Sequence, residues 1–430
     1  MRVAYVTGGF PVSFVTNEVE CHRRAGWEIL PLSSSKPYPV ERLSATERQW
    51  RERTIYRPGW LTQLAAIVRE KFTHPIRYAK VWLLWVRIAL ASPADGARAL
   101  YELGMACYSA GLVRRFGARH LHVHFASRPL SLGLMIGLLT GLPVSCTAHA
   151  FDIFSRSAAS LRVRLRRCAF IAAISAYNIA FLREHCGAEI ARLCHIVHCG
   201  VDLDKFRTFQ RHPVPGRLVA ISWLTVKKGL DVAVEACARL RDQKVDFEFQ
   251  VIGDGPVRPE LEERVRAYHL EDRVKMLGPV PNDQLAPLLA EACAFVLPCV
   301  TLPSGNQDGI PVAMMEAMAC EVPVVSTAVS GNPELVENGI AGFLVPQRDP
   351  AALADALKRL LGDMDMVERF GKASRRRVAE EFSAAVNAAR LRELIAGAGA
   401  ATVSGARPGW RSGRGARQSP ARGDAAGRAL

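Results

Sequence analysis

Two carboxylates, a glycine and a proline stand close together in the run Gly305-Asn306-Gln307-Asp308-Gly309-Ile310-Pro311-Val312-Ala313-Met314-Met315-Glu316-Ala317-Met318-Ala319. An apolar strand expected at 295–298 leads into it. Gly309 lets the backbone come near a ligand, and Pro311 suits the first turn of a helix over 312–319. The exposed N–H groups of that helix start make an anion site ready for a diphosphate. Asp308 stands just before the helix and Glu316 falls on its second turn. The pair is spaced to bracket a polyhydroxy ligand and accept hydrogen bonds from sugar or ribose hydroxyls. A buried helix with one capping aspartate would carry the same residues. Three further elements, in a telling order along the chain, weigh against that plainer reading.

Elements able to position such a site are legible on both sides of it. In the first half, strands are expected at 2–7, 27–32, 120–124, 143–148, 169–175 and 190–198. A helix is expected at 17–25, another at 176–186, and a helical stretch over 61–116 broken at Pro75, Pro93 and Gly104. After an irregular stretch at 202–216 the alternation is cleaner. Strands at 218–222, 247–252, 274–277, 295–298 and 322–326 are separated by helices at 230–243, 258–269, 282–291 and 312–319. A helix at 351–361 and a long one over 367–396 close the pattern. Such alternation predicts parallel sheets with helices on both faces, and open sheets of this kind bind ligands beyond the carboxyl ends of their strands. Two of them, joined by a short linker, place two binding edges around one cleft.

The Asp-Gly-Ile-Pro…Glu-Ala-Met-Ala setting, with seven residues between acid and glutamate, resembles family 4 of the retaining glycosyltransferases, which have the GT-B fold. The likeness continues through Lys227-Lys228-Gly229, Val251-Ile252-Gly253-Asp254-Gly255-Pro256, Val274-Lys275-Met276-Leu277-Gly278 and Val345-Pro346…Asp349. In the first half it includes His122-Val123-His124-Phe125-Ala126, Thr147-Ala148-His149-Ala150-Phe151-Asp152 and His198-Cys199-Gly200-Val201-Asp202…Phe206. The branch is that of exopolysaccharide and capsule assembly. The resemblance implies an α/β chain of two facing Rossmann-like domains with a C-terminal crossover helix. The acceptor-side domain would span 1–203, the nucleotide-sugar domain 217–365, the crossover helix 366–397 and a disordered basic tail 398–430.

The same resemblance implies roles by position. Glu316 would hold the ribose hydroxyls and Asp308 the donor sugar. The backbone of Gly309, Ile310, Pro311 and Val312, with Lys228 and Lys227, would hold the diphosphate. Val280 would lie beside the nucleobase, and His149 would reach across the cleft to the sugar and its phosphate. A nucleoside-diphosphate sugar is the expected co-substrate, with a glycan or lipid-linked acceptor and no cofactor or metal. One position departs from the family. Five residues before Lys228, where an arginine usually clamps the phosphates, this chain has Trp223. A neutral indole cannot supply a bidentate guanidinium contact. The alternative it raises is a catalytically impaired sugar-nucleotide-binding accessory subunit.

Other patterns are set aside. Asp202-Leu203-Asp204 and Asp363-Met364-Asp365 match an Asp-x-Asp metal element, but fall in the irregular stretch and at a helix border. The His185-Cys186…Cys194-His195…His198-Cys199 run is dense enough for zinc, yet strand alternation turns its neighbours to opposite faces. Gly253-Asp254-Gly255-Pro256 lacks the third glycine of a dinucleotide loop and has Arg258 in its place.

Composition bounds the rest. The 430 residues suit two domains, 49% of them are hydrophobic, and the formal net charge is +15. Six arginines against Asp424 give 405–430 a net +5, in a Gly/Ala/Arg/Pro mixture with little to bury. No nucleic-acid partner is expected of it. Eleven cysteines, an odd number scattered through core-like segments, point to reduced thiols and a cytoplasmic location. The N-terminus resembles a first strand, and no apolar run nears the ~20 residues a membrane span needs. Over 71–91, Arg77, Lys80 and Arg87 share a helical face while Trp82, Leu83, Trp85 and Val86 lie mostly elsewhere. That pattern fits peripheral contact with an anionic membrane surface, expected at the inner face.

Overall fold

The computed structural model describes residues 1–37, 39–40, 43–206 and 211–403. Among these residues twelve strands form two six-stranded sheets. The first holds β1 (Arg2–Thr7), β2 (Glu28–Ser33), β3 (His120–His124), β4 (Val144–Ala148), β5 (Ile171–Ala173) and β6 (Cys194–Ile196), in the order β2-β1-β3-β4-β5-β6. The second holds β7 (Arg217–Ile221), β8 (Glu248–Ile252), β9 (Val274–Gly278), β10 (Ala294–Leu297), β11 (Val324–Thr327) and β12 (Gly342–Val345), ordered β12-β11-β10-β7-β8-β9. Every pairing is parallel, for example Val3 with His120 and Phe295 with Val324. Two Rossmann-like domains are therefore present, each with its loops gathered at the carboxyl ends of its strands.

The helical stretch before β3 resolves into Trp60–Thr73, Pro75–Ala91, Pro93–Tyr101 and Leu103–Phe116. Pro75 and Pro93 each occupy a first turn, where a missing N–H costs nothing. Three expectations need correction. The strand expected over 190–198 is the end of a short helix, Ala188–Ala191, followed by the strand Cys194–Ile196. The helix expected over 282–291 starts as a single 3-10 turn, Asn282–Gln284, and becomes α-helical only over Leu285–Ala290. Pro287 lacks an N–H and is accommodated in the first turn of that helix. The long helix expected over 367–396 is two, Met364–Glu381 and Ala384–Val403.

The break is where the domains are tied. Val201 N–H donates to Phe382 O at 3.0 Å, and Ala384 N–H donates to Val201 O at 2.9 Å. A Cβ on Gly200 would come within 2.3 Å of Ala384 Cα, so only glycine lets these strands of the hinge meet. Beyond the break, Leu391 and Ile395 return to the first domain and are buried with Val3, Tyr5, Val15 and Val19. The expected tail boundary at 398 lies inside this helix; 404–430 fall outside the described residues.

Candidate functional site

The loop after β10 leads to the helix Val312–Ala319, as the residue pattern requires. Pro311 sits one residue before the first helical position, extended at φ −63° and ψ 124°. The N–H groups of the first turn lack intrahelical partners, so this end carries partial positive charge. Asp308 stands just ahead of it. Lys227 Nζ lies 2.7 Å from one Asp308 oxygen and Lys228 Nζ 2.7 Å from the other. Both lysines belong to the single turn Val226–Lys228 after β7, ended by Gly229 at φ +65°. A Cβ there would be 1.9 Å from Pro298 O, so the glycine is what lets the lysine turn pack on the end of β10. Burial works to raise the Asp308 pKa, but the two ammonium groups outweigh it and hold the carboxyl below its ordinary value. Burial likewise works against charge on Lys228, and Asp308 more than compensates, raising it.

Glu316 is on the inner side of the same helix and buried. Its Oε1 accepts from Asn282 Nδ2 at 2.8 Å, and Asn282 Oδ1 in turn accepts from Lys205. Burial pushes the carboxyl up to about 7, with Asn282 pulling the other way. Val280, in the loop after β9, packs partly buried against the core of this domain.

The opposite wall comes from the first domain. His149 follows β4, and its carbonyl accepts from Asn178 Nδ2 at 2.5 Å. Asp152 accepts from the backbone N–H of Ala126 and Ala150, each at 2.7 Å, and from His149, fixing the turn. A Cβ on Gly309 would lie 2.5 Å from Ile174 Cδ1 and 3.2 Å from His149 O. Gly309 is therefore one point where the two domains touch, and its φ is unremarkable; close approach, not a positive φ, is what asks for glycine. Gln307 Nε2 donates to Tyr177 OH at 2.9 Å, and Glu334 accepts from the N–H groups of Ala176 and Tyr177 at 2.8 and 2.9 Å.

The His149 ring is engaged on both nitrogens. Nε2 lies 3.1 Å from His124 Nδ1, and Nδ1 faces Cys199 Sγ at 3.6 Å. His124 Nε2 lies 3.2 Å from Glu18 Oε1, which also accepts from Tyr5 OH at 2.9 Å. A carboxylate can only accept, so His124 donates to Glu18 from Nε2; in its neutral form its Nδ1 is then left to accept from His149 Nε2. Burial, then the neighbouring His124, hold the His149 pKa well below its ordinary value. What His149 turns toward Gly309 is its carbonyl. Trp223 is 56% exposed in the loop after β7.

Residues 215–363 match the model described as Glycosyl transferases group 1, and residues 42–205 the one described as Glycosyltransferase Family 4. WcaL of Escherichia coli (strain K12), assigned to colanic acid biosynthesis as a glycosyltransferase, is 30% identical over 413 residues, 92% of this chain and 99% of that one. The chain belongs to this glycosyltransferase family. The enzyme is also 39% identical to the amylovoran biosynthesis glycosyltransferase AmsK of Erwinia amylovora over 208 residues, 48% of this chain and 51% of AmsK. The solved structure of Anabaena Alr3699/HepE in complex with UDP covers 92% of this chain and 100% of its own, with TM-score 0.68 and 16% identity. At that identity the likeness speaks for the fold, which is GT-B.

Several residues that shape this candidate site had no local signal. Asn282 reaches Glu316 from the turn after β9 and is itself held by Lys205, Asn178 holds His149 from another helix, and Glu18 acts through His124. Among the described residues, Glu18, His122 and His124 bring ligand-type atoms within 4.8 Å of one another. Here His122 is bonded to Ser145 and Thr147 hydroxyls at 2.8 and 2.9 Å. The patterns set aside earlier have structural duties. Asp202 accepts from Asp204 N–H at 3.0 Å and Asp363 from Met366 N–H at 2.8 Å, both as turn or helix caps. In the zinc-like run, His185 Nδ1 lies 3.0 Å from Phe181 O and His198 Nδ1 2.7 Å from Ile174 O.

Proposed function

We propose that this glycosyltransferase moves a hexosyl group from a nucleoside-diphosphate sugar to a glycan or lipid-linked acceptor, with retention, in exopolysaccharide assembly at the inner membrane face. The observation that carries it is Asp308 held between Lys227 and Lys228 at the start of the helix bearing Glu316. Support for the donor class comes from the HepE structures with UDP and UDP-glucose; support for the pathway class comes from WcaL and AmsK. In this reading the anomeric C–O bond breaks with its electron pair going to the diphosphate. The acceptor oxygen attacks the same face, and its proton passes to the departing phosphate oxygen. Cationic charge for the leaving group comes from the lysine pair and the helix start, so no metal is assigned to the step. Asp308 would accept from a sugar hydroxyl as the ring gains positive charge, and Glu316 from the ribose.

The test is a thermal-shift screen of nucleoside diphosphates and their sugars, followed by the anomeric configuration of the product. A ligand that binds only the folded state raises its stability, so the best one names the donor. An inverted product, or no response to any nucleotide, overturns the reading.

Glu316 adds a pH signature. Its carboxyl is protonated below about 7 in the free enzyme, and only the ionised form accepts from both ribose hydroxyls. Nucleotide affinity should therefore rise as pH increases through about 7. Protein stability moves oppositely, since a folded pKa above the ordinary 4.5 contributes stability that is lost as pH climbs toward 7. Glu316→Gln should weaken nucleotide binding about thirtyfold at alkaline pH and flatten its pH profile. Binding titrations that keep the wild-type slope in this variant would remove Glu316 from the nucleotide site.

The neutral Trp223, in the position where the family usually has a phosphate-clamping arginine, favours a second reading, an accessory subunit that binds the nucleotide sugar without turning it over. If that is right, Trp223→Arg should create or raise transfer by restoring a forked cation. If the first reading is right, Trp223→Ala should change turnover less than about tenfold. Assays of both variants with one identified donor separate the two.

A further inference from the structure

The helices Trp60–Thr73 and Pro75–Ala91 each carry apolar residues on two opposite faces. In the first, Ala66 and Glu70 face the domain and are buried. Leu61, Leu64, Val68 and Phe72, spaced as one helical stripe, point the other way and are 63%, 50%, 47% and 74% exposed. In the second, Val81, Leu84 and Ile88 are buried. Ile76, Leu83, Val86 and Leu90 form the outward stripe, the last 82% exposed. A chain that buries its apolar residues elsewhere as thoroughly as this one does not leave the stripes of two consecutive helices in water without a partner for them.

The charges around the stripes say what that partner is. The second helix has no acidic residue, and the one acid of the first, Glu70, is fully buried and paired with Arg114. Lys71, Lys80 and Arg87 flank the stripes in exposed positions. Arg77, Lys80 and Arg167 line a cavity of about 510 Å³ beside the second helix. Arg77 is held there by Leu139 O at 3.1 Å and Thr140 O at 2.9 Å, and Arg167 by Val163 O at 2.8 Å. Burial, then the charges of Arg87 and Arg166, depress the Arg167 pKa, so these cations crowd one another. Arg166 has Glu189 at 3.5 Å as a partner. The cavity lies at the amino ends of β4 and β5, opposite the end that carries His149, and so is separate from the donor site.

We infer that the outward faces of Trp60–Thr73 and Pro75–Ala91 seat this enzyme on an anionic bilayer, with a phospholipid headgroup phosphate in the Arg77–Lys80–Arg167 cavity. Apolar stripes enter the interface and the cations meet the headgroups. No helix among the described residues is long and apolar enough to cross a membrane, so the contact is lateral. The inference deepens the reading of a membrane-side acceptor and rests on it for its purpose, whereas binding is measured without turnover.

The experiment is flotation of the full chain with vesicles of phosphatidylcholine alone, or of phosphatidylcholine with phosphatidylglycerol. Wild type should float with the anionic vesicles, weakly with the neutral ones, and less at 1 M salt, where the Debye length falls from ~10 Å at 0.1 M to ~3 Å. Lys80→Ala and Arg87→Ala should each lower partitioning about fivefold. Leu83→Glu with Val86→Glu, or Leu64→Glu with Phe72→Glu, should abolish it at any salt. These side chains are exposed, and an unchanged nucleotide-induced thermal shift shows that each variant is folded. Failure of wild type to float, or equal flotation of the variants, overturns the proposal. So does a wild-type dimer that Phe72→Glu converts to monomer without any vesicle binding, since the faces would then pair two copies. Flotation as expected in a protein that transfers no sugar would instead overturn the functional reading and leave this one standing.

Discussion

Lys228→Ala is expected to lower transfer by about a hundred- to a thousandfold while leaving the fold intact. The size follows from two losses at once. The ammonium lies 2.7 Å from Asp308 in an enclosed corner, where a cation aimed at a departing diphosphate is worth several kcal/mol of transition-state stabilisation. Its removal also takes away one of the two charges that keep Asp308 ionised against burial. Lys227→Ala should cost less, about tenfold, because its side chain is 21% exposed against 14% for Lys228 and water can make up part of the loss. Single-turnover rates with saturating donor check this directly. A Lys228→Ala enzyme as fast as wild type, or slower loss there than at Lys227, would mean that the phosphates bind elsewhere.

The parts of this site that could be read from the chain are those that lie close together along it. Asp308, Gly309 and Glu316 share one loop and helix, so local spacing was enough to place them. Lys227, Lys228 and Gly229 share one turn, and their partner across the sheet is set by the order β10-β7. The parts that could not be read come from distant segments. Asn282 meets Glu316 because a loop from β9 folds over the helix, and Glu18 meets His149 only through His124. Sequence periodicity also cannot say which of two apolar stripes on a helix faces inward. Apolar residues surround Trp60–Thr73, and only packing against Leu103–Phe116 sends Ala66 in and Phe72 out. The same limit hid the break after Glu381. Residues 382 and 383 continue a helical pattern, but Val201 takes the Phe382 carbonyl and the Ala384 N–H from across the hinge.

Asp308→Asn should separate binding from turnover in opposite directions. In the free enzyme Asp308 occupies both lysine side chains, so under the proposed function a nucleoside diphosphate would share them with a fixed carboxylate. Two like charges near a protein surface a few ångströms apart repel by about 1–3 kcal/mol. An amide removes that repulsion and frees the lysines, and the nucleoside diphosphate alone should bind about tenfold more tightly. Transfer should fall by a hundredfold or more. The amide oxygen accepts a sugar hydroxyl more weakly than a carboxylate, and it offers no negative charge to a ring becoming an oxocarbenium ion. Side-chain size is nearly unchanged, so the domain contact at Gly309 is kept and a fold defect would not mimic the result. Calorimetric titration of the diphosphate beside steady-state transfer by the same variant gives both numbers. Affinity and turnover falling together would place Asp308 with the phosphate-binding groups instead of the sugar.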